Sequence, residues 1–249
     1  MKLVHGLLSV LYKFWVFLVF TFFMLLFLPG LTIPFMLGNR FSWIGYKFLW
    51  LWSLIFSWLT FIRYEFYGRE NFGKGQSYIY VSNHTSFLDL PGLTLLIGKE
   101  YRPLAKKELL KIPVFGWIAR GAAVIVDRSN GQSRKESLDR LKKTLAHGIS
   151  ILLFAEGTQN RTQELLQPFK DGAFRLAIDT QQSILPMVIV GGGKLMPPGT
   201  IDLKPGKIII AVAPEIKIDP NESLVSLKER TFNTMKQLML DHIQSSHAS

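Results

Sequence analysis

Two short polar runs close apolar stretches and carry side chains able to move protons. The first, Ser82-Asn83-His84-Thr85-Ser86-Phe87-Leu88-Asp89, follows the apolar run that begins at Tyr78. A histidine beside a carboxylate is a base with its orienter: the carboxylate fixes the imidazole tautomer and stabilises the imidazolium formed when the base takes a proton. Five residues is not a same-face spacing on a helix of 3.6 residues per turn. The pair therefore meets only if His84 stands in the turn before the helix becomes regular. A competing reading makes Asn83 or Ser86 a helix cap and His84 a turn residue, and the motif alone does not separate the two. The second run, Phe154-Ala155-Glu156-Gly157-Thr158, ends the most apolar strand candidate. There a Glu-Gly-Thr turn would present backbone N–H groups and a carboxylate at a sheet edge. An ordinary strand-to-loop turn, with Gly157 supplying backbone freedom, fits the same letters.

Other chemistries lack their residues. Gly191-Gly192-Gly193-Lys194 is not a phosphate-binding loop, because Val188 and Leu195 stand where glycine and a hydroxyl residue are required. Gly148-Ile149-Ser150-Ile151-Leu152 misses the last glycine of a serine nucleophile elbow. His5, His84, His147, His242 and His247 show no paired metal-ligand spacing, and His242 and His247 are expected as solvated tail residues. The chain has no cysteine, which removes disulfides, thiol nucleophiles and thiolate metal sites and fits a reducing compartment.

The elements that must position these groups are short apolar strands alternating with helical segments. Strands are expected at Tyr64–Tyr67, Tyr78–Ser82, Arg102–Ala105, Ala123–Val126, Ile149–Phe154, Leu185–Val190 and Lys207–Ala213. Helices are expected at Ser86–Ile97, Ser133–His147, Phe169–Asp179 and Ser223–Ile243, the last carrying Leu224, Leu227, Met235 and Leu238 at roughly helical spacing. Alternation of this kind predicts an α/β fold, a mixed sheet with flanking helices, over residues 63–249. Sites in such sheets gather at strand ends.

Residues 1–62 are different. They hold no acidic residue and only Lys2, Lys13, Arg40 and Lys47 as strong bases. Apolar stretches run from about Leu7 to Leu28 and from about Ser42 to Ile62, each near the 20 residues that cross a bilayer core. Pro29, Gly30, Pro34, Gly38 and Asn39 break the chain between them, which predicts an N-terminal two-helix membrane hairpin. Trp43, Trp50, Trp52 and Trp58 in the second stretch suit a bilayer interface. No small-residue cleavage site follows the first stretch before Pro29, against a removed signal peptide. The net charge of +11 suits an anionic membrane surface, and without a dense Lys/Arg run or basic helix no nucleic-acid partner is expected.

Taken together these segments resemble the glycerolipid acyltransferases, and among them the bacterial 1-acylglycerol-3-phosphate acyltransferase (lysophosphatidic acid acyltransferase) group. Asn83, His84 and Asp89 match that family's N-H-x-x-x-x-D motif. A second block resembles Ala105-Lys106-Lys107-Glu108-Leu109, Ile112-Pro113, Gly116, Gly121 and Val126-Asp127-Arg128. A third, F-P-E-G-T-R-S-R, is matched by Phe154-Ala155-Glu156-Gly157-Thr158-Gln159-Asn160-Arg161, and a fourth by Ile184-Leu185-Pro186-Met187-Val188. Order and spacing agree over about Arg63–Gly191, and the front resembles the family's two-helix membrane motif.

The resemblance implies acyl transfer from an acyl-carrier-protein or coenzyme A thioester to the sn-2 hydroxyl of lysophosphatidic acid, a membrane lipid acceptor. It further implies that no covalent acyl-enzyme, metal or cofactor would take part. His84, oriented by Asp89, would be the general base. Glu156, Gly157 and Thr158 would line the acceptor site, with Lys106 and Arg128 as phosphate or oxyanion partners and Arg161, the match to the family's later arginine, as a further substrate-binding group; solvated surface charge is the plain alternative for Lys106 and Arg128. It also implies a membrane location, the bacterial inner membrane with the site at its cytoplasmic face. One departure matters: the family's arginine after Glu-Gly-Thr is here Gln159, which brings no charge and no fork for a phosphate. Another lysolipid, such as lyso-ornithine lipid, would need less positive charge. A catalytically silent membrane lipid binder is the third reading.

Overall fold

The structure, a computed structural model, describes residues 2–247. The chain opens with three helices, α1 (Lys2–Leu26), α2 (Leu28–Met36) and α3 (Ser42–Leu59). Strand β1 (Ile62–Tyr67) and strand β2 (Ile79–Ser82) lead into α4 (Asp89–Ile97), β3 (Tyr101–Lys106), α5 (Phe115–Ala122) and β4 (Val124–Val126). Then come α6 (Gly131–Ala146), β5 (Ser150–Phe154), α7 (Gly172–Thr180), β6 (Ile184–Val190), the single-turn α8 (Gly192–Leu195), β7 (Gly206–Val212) and α9 (Leu224–His247).

The strands form one mixed sheet in the order β1-β7-β6-β2-β5-β3-β4. Every neighbouring pair is parallel except β6 with β7. The strands from β2 to β6 therefore run one way, and their carboxyl ends form a single edge: Ser82 pairs in register with Phe154 and with Met187, and Lys106 with Val126. The loops after β2, β3, β4, β5 and β6 all emerge there, at the edge where open α/β sheets hold ligands.

Strands buried on both faces read as continuous apolar runs, which is why β5 and β6 stand out in the sequence. Side chains alternate between two cores. Tyr80, Leu152, Leu185, Met187 and Ile189 face a cluster that also takes Val16, Val19 and Met24 of α1, Tyr46, Trp52 and Phe56 of α3, and Leu93 of α4. Ile79, Val81, Ile151, Leu153 and Val188 face Leu141 and Leu145 of α6, Phe174 and Leu176 of α7, and Leu227, Met235 and Met239 of α9. Each such aliphatic side chain, fully buried, contributes about 1.5–3 kcal/mol.

The front departs from the expected two-helix hairpin. Pro29 falls in the first turn of α2, where its missing N–H costs nothing, so the Pro-rich connector is itself helical and the break moves to Gly38–Phe41. Among the described residues one helix is long and apolar enough to cross a membrane, Gly6–Leu26, and only 17% of its most apolar window is buried. α3 carries Lys47 and three serines, and one of its faces is occupied by the rest of the fold, chiefly α4, β1 and α5: Tyr46, Trp52 and Phe56 are buried, and the Tyr46 hydroxyl donates to the Ala122 carbonyl of α5 at 2.7 Å. Trp52, expected with the interfacial rings, is thus a core residue stacked on Phe56, whereas Trp43, Trp50 and Trp58 are exposed. α1 lies antiparallel to α3, with the Tyr12 hydroxyl on the Thr60 carbonyl and Phe27 against Phe48.

Two smaller corrections concern helices. α5 went unanticipated because Pro113, Gly116 and Gly121 hide eight residues of helix. His242 is not a solvated tail residue but lies half-buried on the Tyr67 ring, at 4.6 Å between centroids; the side chains of His5 and His247 lie outside those described.

Candidate active site

The turn between β2 and α4 is pinned before it reaches His84. Asn83, fully buried, grips one residue of the neighbouring strand: its Nδ2 donates to the Ile189 carbonyl at 2.9 Å, and its Oδ1 accepts from the Ile189 N–H at 2.8 Å. Asp89 is the first residue of α4, and the turn curls around its carboxylate. Oδ2 accepts from the Thr85 N–H at 2.7 Å, the Ser86 N–H at 2.9 Å and His84 Nδ1 at 2.8 Å. The spacing problem is solved as required, with His84 in the turn and the carboxylate reaching back from the first turn of the helix. Neither Asn83 nor Ser86 caps α4; Ser86 Oγ donates to the Met196 carbonyl at 2.9 Å.

An ionised carboxylate only accepts, so the contact assigns the proton to Nδ1 and leaves Nε2 as a bare acceptor on the far side of the ring. The imidazole is stacked on Phe154 at 4.0 Å between centroids. Its side chain is 18% exposed, while that of Asp89 is sealed.

Glu156 sits elsewhere than expected. Its side chain is buried and does not reach the cavity wall. Oε1 accepts from the His84 backbone N–H at 3.2 Å and Oε2 from that of Gln167 at 3.1 Å. Burial pushes its carboxyl above the usual glutamate range, against the pull of those two N–H groups. The same turn takes the other side of the His84 backbone, since the Asn160 N–H donates to the His84 carbonyl at 2.6 Å. Both polar groups of the His84 main chain are therefore held by residues 156–160.

Gly157 adopts a left-handed φ of 75° and offers its carbonyl to Arg128 Nη1. The glycine run after β6, unsuitable as a phosphate loop, is there for close packing: a Cβ on Gly192 would lie 2.7 Å from Asp89 Oδ1 and 3.1 Å from Thr85 Oγ1. Glycine 192 and Gln167 had no legible signal, because their partners are far along the chain.

A cavity of about 700 Å³ opens beside His84. Its polar end is lined by His84, Lys106, Arg128, Gly157, Thr158, Gln159, Arg161 and Gln167. Its apolar end runs beneath the N-terminal helices and is lined by Met24, Tyr46, Leu49, Trp52, Leu90, Tyr101, Phe115 and Ile118. Of the eight site residues expected from sequence (His84, Asp89, Lys106, Arg128, Glu156, Gly157, Thr158 and Arg161), all but Asp89 and Glu156 reach this wall; those two stand behind it, on the His84 side chain and main chain. Lys107 is turned away onto Asp127, whose carboxyl that ammonium and the Ser129 hydroxyl hold down at about 2. Among the described residues no group of three or more His, Asp or Glu side chains could hold a metal ion.

Such a site can take a proton at Nε2 beside cationic groups and shelter a long apolar chain. A family model described as Acyltransferase matches residues 63–190. The 1-acyl-sn-glycerol-3-phosphate acyltransferase BAT2, chloroplastic, of Brassica napus is 36% identical over 152 residues, which are 60% of this chain and 43% of that protein. The 1-acyl-sn-glycerol-3-phosphate acyltransferase alpha of Homo sapiens is 34% identical over 169 residues, 66% of this chain and 59% of that one. The chain thus spans less than half the length of its chloroplast relative. In fold it is similar to the crystal structure of the 1-acyl-sn-glycerophosphate (LPA) acyltransferase PlsC from Thermotoga maritima, with a TM-score of 0.76, 24% identity and 97% of each chain covered.

Proposed function

Because this chain belongs to the acyltransferase family, we propose that it moves a fatty-acyl group from a carrier-protein or coenzyme A thioester to the sn-2 hydroxyl of lysophosphatidic acid, giving phosphatidic acid. The observation that carries this reading is the 2.8 Å contact from His84 Nδ1 to Asp89, in a cavity cationic at one end and apolar at the other. His84 Nε2 takes the proton of the acceptor hydroxyl as its oxygen attacks the thioester carbonyl. Asp89 stabilises the imidazolium. As the tetrahedral intermediate collapses, the new C–O bond remains, the C–S bond breaks, and the proton passes from His84 to the departing thiolate, which leaves as the thiol. Lys106 and Arg128 offset the charge on the carbonyl oxygen or hold the acceptor phosphate. Gly157 and Thr158 line the acceptor end with Arg161. Glu156 acts through the His84 main chain as a positioning residue.

The membrane part of the proposal rests on α1 and α3. Their exposed apolar faces would enter the bilayer as an antiparallel pair, holding the cavity at the headgroup plane where acceptor and water-borne donor meet. The corresponding place is the cytoplasmic face of a bacterial inner membrane, where such thioesters are available.

Gln159 supports a second acceptor. It lines the cavity with Arg161 two residues on, so the site has one fixed charge fewer than the family pattern, which suits a lysolipid without a phosphomonoester. An acceptor panel with purified protein decides between them. Turnover of lysophosphatidate, lost by roughly 100- to 10,000-fold in His84→Ala, is the expected result. Turnover only of another lysolipid, shifted toward phosphate acceptors by Gln159→Arg, would select the second reading. No transfer by either protein to any acceptor would refute enzymatic function.

A further inference from the structure

Beyond residue 61, the large apolar side chains left exposed among the described residues are Tyr67, Ile112, Trp117, Ile201 and Val225. Three of these five belong to two segments, the turn into α5 with its first residues and the loop after α8, that are fastened to α1 from separate parts of the chain. Phe115, between Ile112 and Trp117, stacks on Phe20 of α1 at 5.8 Å and 13°. Asp202, beside Ile201, forms an ion pair with Lys13 of α1 at 2.6 Å. Lys13 and Phe20 are seven residues apart, about 10 Å along the helix axis. Both segments thus lie against the same apolar helix, and both border the site: Phe115 lines the cavity, and residues 197–201 follow Met196, whose carbonyl takes the Ser86 hydroxyl.

The turn that leads into α5 is built to keep that shape. Val114 holds a φ of 66° and ψ of −54°, and the Phe115 N–H closes on the Pro113 carbonyl at 2.7 Å. A β-branched residue rarely adopts positive φ, and the tight turn it makes sets Phe115 inward while Ile112 and Trp117 stay 43% and 60% exposed. No acidic residue occurs between Glu108 and Asp127, whereas Lys111 and Arg120 flank the exposed indole. An amphipathic ring between two cations suits the headgroup layer of an anionic bilayer.

We propose that the bilayer-contacting surface extends past α1 and α3 onto these two segments, with Trp117 and Ile201 entering the headgroup layer beside α1 and seating the cavity mouth there. This rests on the membrane reading of α1 and α3, and the test separates the two. Because the chain has no cysteine, single substitutions Trp117→Cys, Ile201→Cys, Leu18→Cys and Val225→Cys each accept one environment-sensitive NBD label. Vesicles of phosphatidylcholine and phosphatidylglycerol are added, with and without brominated acyl chains.

Labels at 117 and 201 are expected to shift to the blue and to be quenched by brominated lipid. The label at 225, on α9 across the sheet, should not respond. Entry at 18 with solvent-like signals at 117 and 201 overturns this proposal and leaves the membrane reading of α1 standing. Absence of entry at 18 as well removes both. A response at 117 to an acidic carrier protein but not to vesicles also overturns it. In parallel, Trp117→Glu with Ile201→Glu should slow transfer to vesicle-embedded acceptor by at least about tenfold while leaving transfer to detergent-dispersed acceptor within about twofold. Equal loss in both assays would mark the pair as structural and overturn the proposal.

Discussion

Replacing Glu156 by glutamine separates a positioning role from acceptor binding. The carboxylate gives one oxygen to the His84 N–H at 3.2 Å and the other to the Gln167 N–H at 3.1 Å. Glutamine keeps one acceptor and turns the other into an NH₂ that faces a donor, so one of the two tethers must fail. A buried N–H left without a partner costs about 1–3 kcal/mol. The loss is offset, because burial already disfavours the charged form of Glu156. Net stability should therefore change little near neutral pH. The sign follows from the raised carboxyl: stability present below the ordinary glutamate value of 4.5 is lost as pH rises through the folded value. The melting temperature of the glutamine variant relative to the native protein should accordingly improve as pH rises from 4.5.

Activity should respond differently. With one tether gone the His84 main chain shifts, and a misplacement of about 1 Å at a reacting group costs on the order of 100-fold. Steady-state thiol release over a series of acceptor concentrations is expected to show kcat lowered roughly 10- to 100-fold with acceptor KM changed by less than about threefold. A raised KM with kcat intact would mean that the carboxylate touches the acceptor, and the positioning argument would be wrong.

Three further outcomes are expected. Asp89→Asn retains an oxygen for its three donors but loses the charge facing the imidazolium, about 1.5–3 kcal/mol, so kcat should fall roughly 10- to 150-fold with the fold intact; a native rate would remove Asp89 from the mechanism. Gly192→Ala puts a Cβ 2.7 Å from Asp89 Oδ1, and the resulting shift should lower kcat by about tenfold or more; an unaltered rate and melting temperature would show that the contact yields freely. Asp127, held down at about 2 by Lys107, favours the folded state above the ordinary value of 3.8 and loses that contribution as pH falls toward 2. Thermal melts of Asp127→Asn over that window should therefore show a shallower acid decline than the native protein, and parallel curves would refute the pairing.

Much of this architecture is legible before folding is considered. Parallel strands buried on both faces must be apolar throughout, so the runs at β5 and β6 declare themselves, and the polar turns that end β2 and β5 mark the carboxyl edge of the sheet. The His84–Asp89 spacing stated its own condition, a turn ahead of the helix, because helical periodicity forbids any other meeting. Apolar length likewise separated residues 1–62 from the rest, but it did not distinguish an apolar helix facing outward from α3, one face of which is buried against α4, β1 and α5.

What the letters could not carry is direction. Whether Glu156 points into the cavity or back onto a main-chain N–H depends on His84, 72 residues away, and the turn that holds His84 is anchored by Asn83 on Ile189, 106 residues away. Gly192 is intelligible only from the side chain of Asp89, which a Cβ would strike. The cavity has no sequence of its own, since its walls come from α1, α3, α4, α5 and the strand ends together. Local pattern selects elements because backbone hydrogen bonding and side-chain periodicity are short-range. Which face each polar group finally turns to is decided by partners that only chain closure brings within 3 Å or so.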